Sequence, residues 1–307
     1  MKKIHVVLIV AAALLPFLIA VIAVVAFIAL PISLESLDRT RPVTAVLVYE
    51  VDPQSIPPGS PVDMERLVAV VEVRVNRGWR KRARVRQIGP QQIEIGLYDG
   101  DPKEAERIDR IVTSSGTLEF RILANDRDHA AIIRQAETEG GDEVRNEAGD
   151  RLAWWVPVAR PKDDAFPYPE IAKRSVREDG GEKIEILVVG DRFHVNGGYL
   201  TRVAEGVDQG ARPCLDISFN SLGGKLFSAL TANNLPDPSD DFTRKLGIIL
   251  NGRLHSAPAV QTVVADRAQI TGDFTRQEVQ ELAAILNSGS LPAGLRRVKA
   301  DKRAEVE

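Results

Sequence analysis

The chain has 307 residues, enough for one large domain or two small ones with a sizeable core. Its 40 basic and 43 acidic residues leave a net charge of −3 without a block of like charge. That argues against nucleic acid as the main partner, and 5% aromatic content argues against a base-stacking or sugar-binding platform.

Val6 to Ile32 is a run of 27 positions without a charged residue. As a helix it exceeds a bilayer core of about 30 Å. A cleaved signal peptide normally has a shorter apolar core, so the run reads as an uncleaved single-pass anchor. Pro16 is tolerated in a membrane helix. Lys2 and Lys3 before the run nearly balance Arg39 and Arg41 after it, so an N-in, C-out orientation is permitted rather than dictated. Cys214 is the lone cysteine and allows no intramolecular disulfide.

After the charged connector Glu35–Arg41, Thr44–Val51 alternates as a half-buried strand. Asp63 caps a helix carrying Leu67, Val68, Val71 and Val75, with Gly78 as its stop. Ala83–Ile88 and Gln92–Leu97 form a hairpin around Gly89-Pro90-Gln91. Pro102 opens a helix with Ala105, Ile108, Ile111 and Val112 on one face, and Gly116 ends it before the strand Thr117–Leu123. Strand, helix, strand, strand, helix, strand is the ferredoxin-like order, which carries no activity by itself.

Asn125 to Gly190 reads as a linker plus an insertion. It holds a polar helix near Arg127–Glu139, the apolar patch Leu152–Val156 with Trp154 and Trp155, a Pro-rich connection, and a strand at Glu182–Val189. From Asp191 a second unit begins. Asn196-Gly197-Gly198 reads as a hairpin turn between Phe193–Val195 and Tyr199–Val203. Cys214–Asn220 reads as a strand and Gly223–Leu230 as a helix. Leu246–Leu250 and Gln269–Thr271 are short strands, the first followed by an Asn251-Gly252 turn. Thr275 and Glu278 have capping-box spacing for a helix through Val279, Leu282, Ala283 and Leu286, ended by Gly289 and Pro292. Leu295–Val298 reads as a strand returning to the first unit.

No side-chain pattern points to catalysis, a cofactor or a metal. His5, His129, His194 and His255 lack neighbours at ligand spacing. Ser256, beside His255 and near Asp266 and Asp273, has no nucleophile elbow around it. Cys214 reads as a packing residue in a strand, and Gly197-Gly198 and Gly223-Gly224 lack the phosphate-loop pattern.

Several motifs of the second unit resemble the periplasmic head of the SecD protein-export family. They are Leu246–Gly252, Ser256-Ala257-Pro258, Ile270-Thr271-Gly272, Phe274-Thr275 and Gly289-Ser290-Leu291-Pro292. Phe219-Asn220, Phe227, Leu230-Thr231 and Asn233/Asn234 resemble the preceding family segment. In the first unit, Val48–Asp52, Arg74-Val75-Asn76 with Gly78, and Leu118–Arg121 resemble the family's base. Asn251 stands where that family usually has Asp.

The resemblance implies an α+β protein: an anchor (1–34), a ferredoxin-like base (43–123), a connector or insertion (124–190), a head (191–295) and a charged tail (296–307). The family continues into further membrane helices that couple to the proton gradient, so the likeness is to a SecD truncated after its first periplasmic domain. It implies placement in the cytoplasmic (inner) membrane with the C-terminal region outside the cytoplasm. The implied function is binding of exported polypeptide or assistance to the Sec translocon, without enzymatic activity. The alternative is a SecD-derived paralogue that binds another envelope protein and has no transport role.

Overall fold

The computed structural model describes residues 42–56, 60–76, 82–159, 167–178, 181–239 and 242–298. The expected anchor Val6–Ile32, His5, Gly78 and the tail after Val298 lie outside the described residues. Among the described residues, no helix is long and apolar enough to cross a membrane.

The base follows the period of its sequence. In β1 (Ala45–Val51), Leu47, Tyr49 and Val51 are buried at two-residue spacing. Asp63 caps α1 (Met64–Val75) by accepting from the Arg66 N–H at 2.9 Å, and Leu67, Val71 and Val75 form its inner face. β2 (Ala83–Gly89) and β3 (Gln92–Leu97) make the expected hairpin. α2 (Pro102–Thr113) starts on the Asp101 cap with Pro102 at its first turn, and buries Ile108, Ile111 and Val112.

One strand changes places. β4 (Leu118–Ile122), expected to complete the base, lies in another sheet. Beside β1 stands the last strand of the described chain instead, β15 (Leu295–Arg297), giving the order β15-β1-β3-β2. Alternation shows that a segment is a strand but not which edge it joins. The expected return of Leu295–Val298 is observed: β15 pairs antiparallel with β1, Leu295 opposite Val51.

The segment expected to be a linker plus insertion is an ordered layer. It contains α3 (Asp126–Glu139), β5 (Glu143–Arg145), β6 (Arg151–Pro157), β7 (Lys173–Glu178) and β8 (Gly181–Val189). The four strands form one antiparallel sheet, β5-β6-β8-β7. This layer shares its core with the head: Ala153, Trp155, Leu187 and Val189 cluster with Phe120, Phe219 and Ile248. Of its strands only β8 shows in the sequence, because β5 is three residues long and β7, Lys173–Glu178, is mostly charged.

The remaining elements are β9 (Val195–Asn196), β10 (Leu200–Val207), β11 (Pro213–Phe219), α4 (Ser221–Ala232), β12 (Leu246–Leu250), β13 (Arg253–Ser256), β14 (Arg267–Ile270), α5 (Arg276–Ser288) and β15 (Leu295–Arg297). They build two sheets, β10-β11-β14 and β13-β12-β4-β9. Asn196-Gly197-Gly198 is not the hairpin turn its composition suggested. Asn196 Oδ1 accepts from the Gly198 N–H at 2.9 Å, and a short 3-10 turn (Gly197–Tyr199) sends β9 to β4 and β10 to β11. The Asn251-Gly252 turn is a tight hairpin, with φ of 52° and 72°, joining β12 to β13.

Phe120, Phe219 and Phe227 meet at ring-centroid distances of 5.0–5.8 Å, tying both head sheets to α4. At the start of α5 both bonds of the capping box form: Thr275 N–H to Glu278 Oε2 at 2.8 Å and Glu278 N–H to Thr275 Oγ1 at 3.2 Å. Thr275→Ala should therefore cost about 1 kcal/mol in urea unfolding, and a change within error would show that packing alone sets the helix start.

Candidate functional site

Helix α5 lies between the base and the head. Val279, Ala283 and Leu286 pack into the head core, whereas Ile285 enters the base core beside Val71 and Ile111. One helix thus contributes to two cores, and its C-terminal end is where they are joined.

Arg74 holds that end. It is fully buried near the C-terminus of α1, and all its donor nitrogens are engaged. Nε donates to Ser288 Oγ at 2.9 Å, and Nη1 donates to the Ile111 carbonyl at 3.0 Å and to the Ser114 carbonyl. Nη2 donates to the Ser115 carbonyl at 3.2 Å and the Gly289 carbonyl at 2.8 Å. No carboxylate takes part in these bonds. The charge rests on carbonyls at the C-terminal ends of α2 and α5, which have no helical partner and carry the negative end of each helix dipole. Burial pulls the guanidinium down to about 10, so it stays protonated at neutral pH.

The link from base to head runs past this arginine. Gly116 has φ of 75°, and a Cβ there would collide with Arg74 Nη2 and press on the Gly289 carbonyl at 3.1 Å. Asn251 reaches across from the β12–β13 turn, its Oδ1 accepting from the Gly116 N–H at 2.8 Å and from Ser115 Oγ at 3.2 Å. Those acceptor roles suit Asp as well as Asn. The Leu291 N–H closes the ring on the Ser115 carbonyl at 3.0 Å.

An ion pair supports the joint from outside. Arg110 on α2 grips Glu281 on α5 through two bonds, at 2.7 and 3.1 Å. Burial raises the Glu281 pKa, but bonds from Arg110 and Gln277 with the Arg110 charge outweigh it and hold the carboxyl below its ordinary value. A depressed carboxyl contributes stability above its unfolded pKa and loses it as pH falls through the folded value. Acid should therefore loosen the α2–α5 contact. Glu281→Gln should flatten the acid limb of the pH–stability curve, and an unchanged limb would remove the pair from the account.

Two grooves flank α5. One, about 200 Å³, lies against the base and is lined by Val75, Arg107, Gln277 and Glu281. The other, about 390 Å³, lies between the first turns of α5 and the end of β10, lined by Val207, Pro213, Arg276 and Val279. Asn287 meets the edge of β10 as a neighbouring strand would: Oδ1 accepts from the Val203 N–H at 3.0 Å and Nδ2 donates to the Val203 carbonyl at 2.7 Å. Val207 is exposed at the end of the same strand.

The histidines and the cysteine fall in separate local settings. His129 Nδ1 lies 3.2 Å from Asn125 Nδ2, His194 Nδ1 lies 3.0 Å from the Asp191 carbonyl oxygen, and His255 stacks on Phe274. Among the described residues, no group of three His, Cys, Asp or Glu is placed to hold a metal. Ser256 Oγ is buried without a hydrogen-bond partner among the described residues. Burial pushes the Cys214 thiol up, and Asp216 and Asp208 add to the shift, which disfavours a thiolate. Of the sequence motifs, the joint brings together Arg74, Asn251 and Gly289.

A small antiparallel base, a head inserted before the last base strand, and a shared helix define a two-part module. Residues 171–293 match the family model described as the SecDF P1 head subdomain. The match begins in β7's layer, upstream of Asp191, in agreement with the core shared by that layer and the head. The protein translocase subunit SecD of Rickettsia bellii is 38% identical over 120 residues, covering 39% of this chain and 22% of that protein. SecD of Magnetococcus marinus is 32% identical over 136 residues, covering 44% and 24%. The chain thus spans under a quarter of the length of these relatives. A solved chain of SecDF, described as a membrane component that enhances protein export, superposes with a TM-score of 0.55 at 22% identity. It covers 85% of this chain and 100% of its own. SecDF in its super-membrane-facing form gives 0.55 at 20% identity, covering 83% and 29%. Across this region the chain is similar to SecD proteins, and residues 171–293 carry the pattern of the SecDF P1 head subdomain.

Proposed function

We propose that this protein is a membrane-anchored polypeptide-binding module that assists Sec-dependent translocation. In this reading Val6–Ile32 is the anchor in the inner membrane, the ferredoxin-like base holds the head at a fixed attitude outside the cytoplasm, and the head receives exported chain. The observation that carries it is the match of residues 171–293 to the head subdomain. The groove between α5 and the end of β10 supplies a suitable surface, with a strand edge on one side and a helix on the other. Binding of this kind needs no catalytic residue.

A photo-crosslinking residue at Val207 in living cells tests the proposal. Adducts with exported precursors or Sec subunits are the expected result. Adducts confined to another envelope protein would favour the paralogue without a transport role.

A further inference from the structure

A third concavity, about 520 Å³, opens where base, connecting layer and head meet. Arg66 enters it from the base, Glu119 and Arg121 from β4, and Arg151 from β6. Its remaining wall includes Gly197, Gly198 and Gly289, none of them buried, beside Asn196 and Ser290. Absence of side chains there lets another backbone approach closely.

The charges in this cleft do not cancel. Glu119 is already taken: its Oε2 accepts from Arg121 Nε at 3.0 Å and Nη2 at 2.7 Å. Arg66 and Arg151 both line the cleft and have no ion pair among the described residues. Arg151 is nonetheless positioned, its guanidinium 3.9 Å from the Trp154 ring centroid. Arg121 lies against the same ring at 4.9 Å, so the indole is shared by two cations. Cation–π contact orients a guanidinium without neutralising it. Two uncompensated arginines in one concave site create a local positive potential in a chain whose net charge is −3.

We infer that this cleft binds an acidic stretch of extended polypeptide. Its Asp or Glu carboxylates pair with Arg66 and Arg151 while its backbone lies along the glycine wall. Guanidinium forks match planar carboxylates, and a wall carrying three accessible glycines suits a chain rather than an isolated ion. This rests on the polypeptide-binding reading and gives it a substrate preference. Because the cleft touches base and head together, a bound segment would contact both sides of the joint.

The test uses the full chain in non-ionic detergent. A labelled, end-capped Asp/Glu-rich peptide is titrated, with its Asn/Gln counterpart, inorganic phosphate and phosphatidylglycerol vesicles as separate arms. The acidic peptide should bind, the Asn/Gln peptide should not, and added salt should weaken binding. Arg66→Gln with Arg151→Gln should weaken affinity by about tenfold or more. Glu119→Gln, which releases Arg121, should tighten it, a gain that damage to the fold would not produce. Arg267→Gln, on an exposed strand edge elsewhere, should leave binding unchanged.

Equal affinity in the double variant, or equal binding of the uncharged peptide, overturns the inference. So does displacement by phosphate or vesicles at comparable concentration, which would make a free anion or a lipid headgroup the ligand. Loss of acidic-peptide binding with Val207 adducts to exported chains intact supports the cleft and leaves the broader proposal standing. Peptide binding that depends on both arginines, with no adducts to exported chains, would sink the transport reading alone.

Discussion

Arg74→Ala is expected to lower unfolding stability by roughly 3–5 kcal/mol, the largest effect of any single polar substitution here. The side chain serves five acceptors from two parts of the chain, four carbonyls and the Ser288 hydroxyl, and alanine leaves them without that donor. Arg74→Lys should recover only part of the loss, because an ammonium has three donors and cannot span the same fork. Urea unfolding measures the size of the effect, and amide hydrogen exchange shows its place. Faster exchange should concentrate at Gly116, Asn251 and Leu291, whose N–H groups bond within the joint. A loss below about 1 kcal/mol, or exchange spread evenly over the chain, would mean that water or neighbouring donors replace the guanidinium.

Phe227→Ala is expected to cost about 3–5 kcal/mol by the usual measure of a large buried aromatic. Phe227 is 2% exposed and touches Phe120 and Phe219, so truncation opens a cavity where both head sheets meet α4. The pattern should differ from that of Arg74. Slow amides in β11 and β12 should lose protection, while those in β1 and β3, held by the separate base core, should keep most of theirs. Uniform loss across both cores would show that base and head unfold as one unit. In that event α5, through Ile285 on one side and Val279 on the other, couples them tightly.

The elements of the base and the last helix were legible because each has a clear period and a chemical boundary. Asp63 and Thr275 cap the helices that follow them, Pro102 opens another, and Leu47, Tyr49 and Val51 alternate inward. Partner choice was not legible. Leu118–Ile122 reads equally well as a strand of either sheet, since its buried face is apolar in both cases. Asn196-Gly197-Gly198 has hairpin composition, but the Asn side chain closes a local turn that the residue types alone cannot distinguish. The joint was hidden for a different reason. Arg74 stood out within a family-like Arg-Val-Asn, yet nothing local says that a helical arginine will be fully buried and surrounded by carbonyls. The cleft is hidden likewise, because Arg66, Arg121 and Arg151 converge only after the two sheets and the base have packed.

The place of β15 has a consequence for the order in which this protein matures. Val51 and Leu295 are neighbours in the base sheet, yet nearly all of the described chain lies between them. A ribosome releasing the chain from its N-terminus delivers β1, α1, β2, β3 and α2 early, but the strand that closes their sheet arrives last. Until then the edge of β1 is open, and Val51 lacks the partner that Leu295 brings. The head has all its strands before that moment and can condense first, because its core draws on residues 118–286. The platform is therefore finished by the part it carries, and completion of the head times the closing of the base.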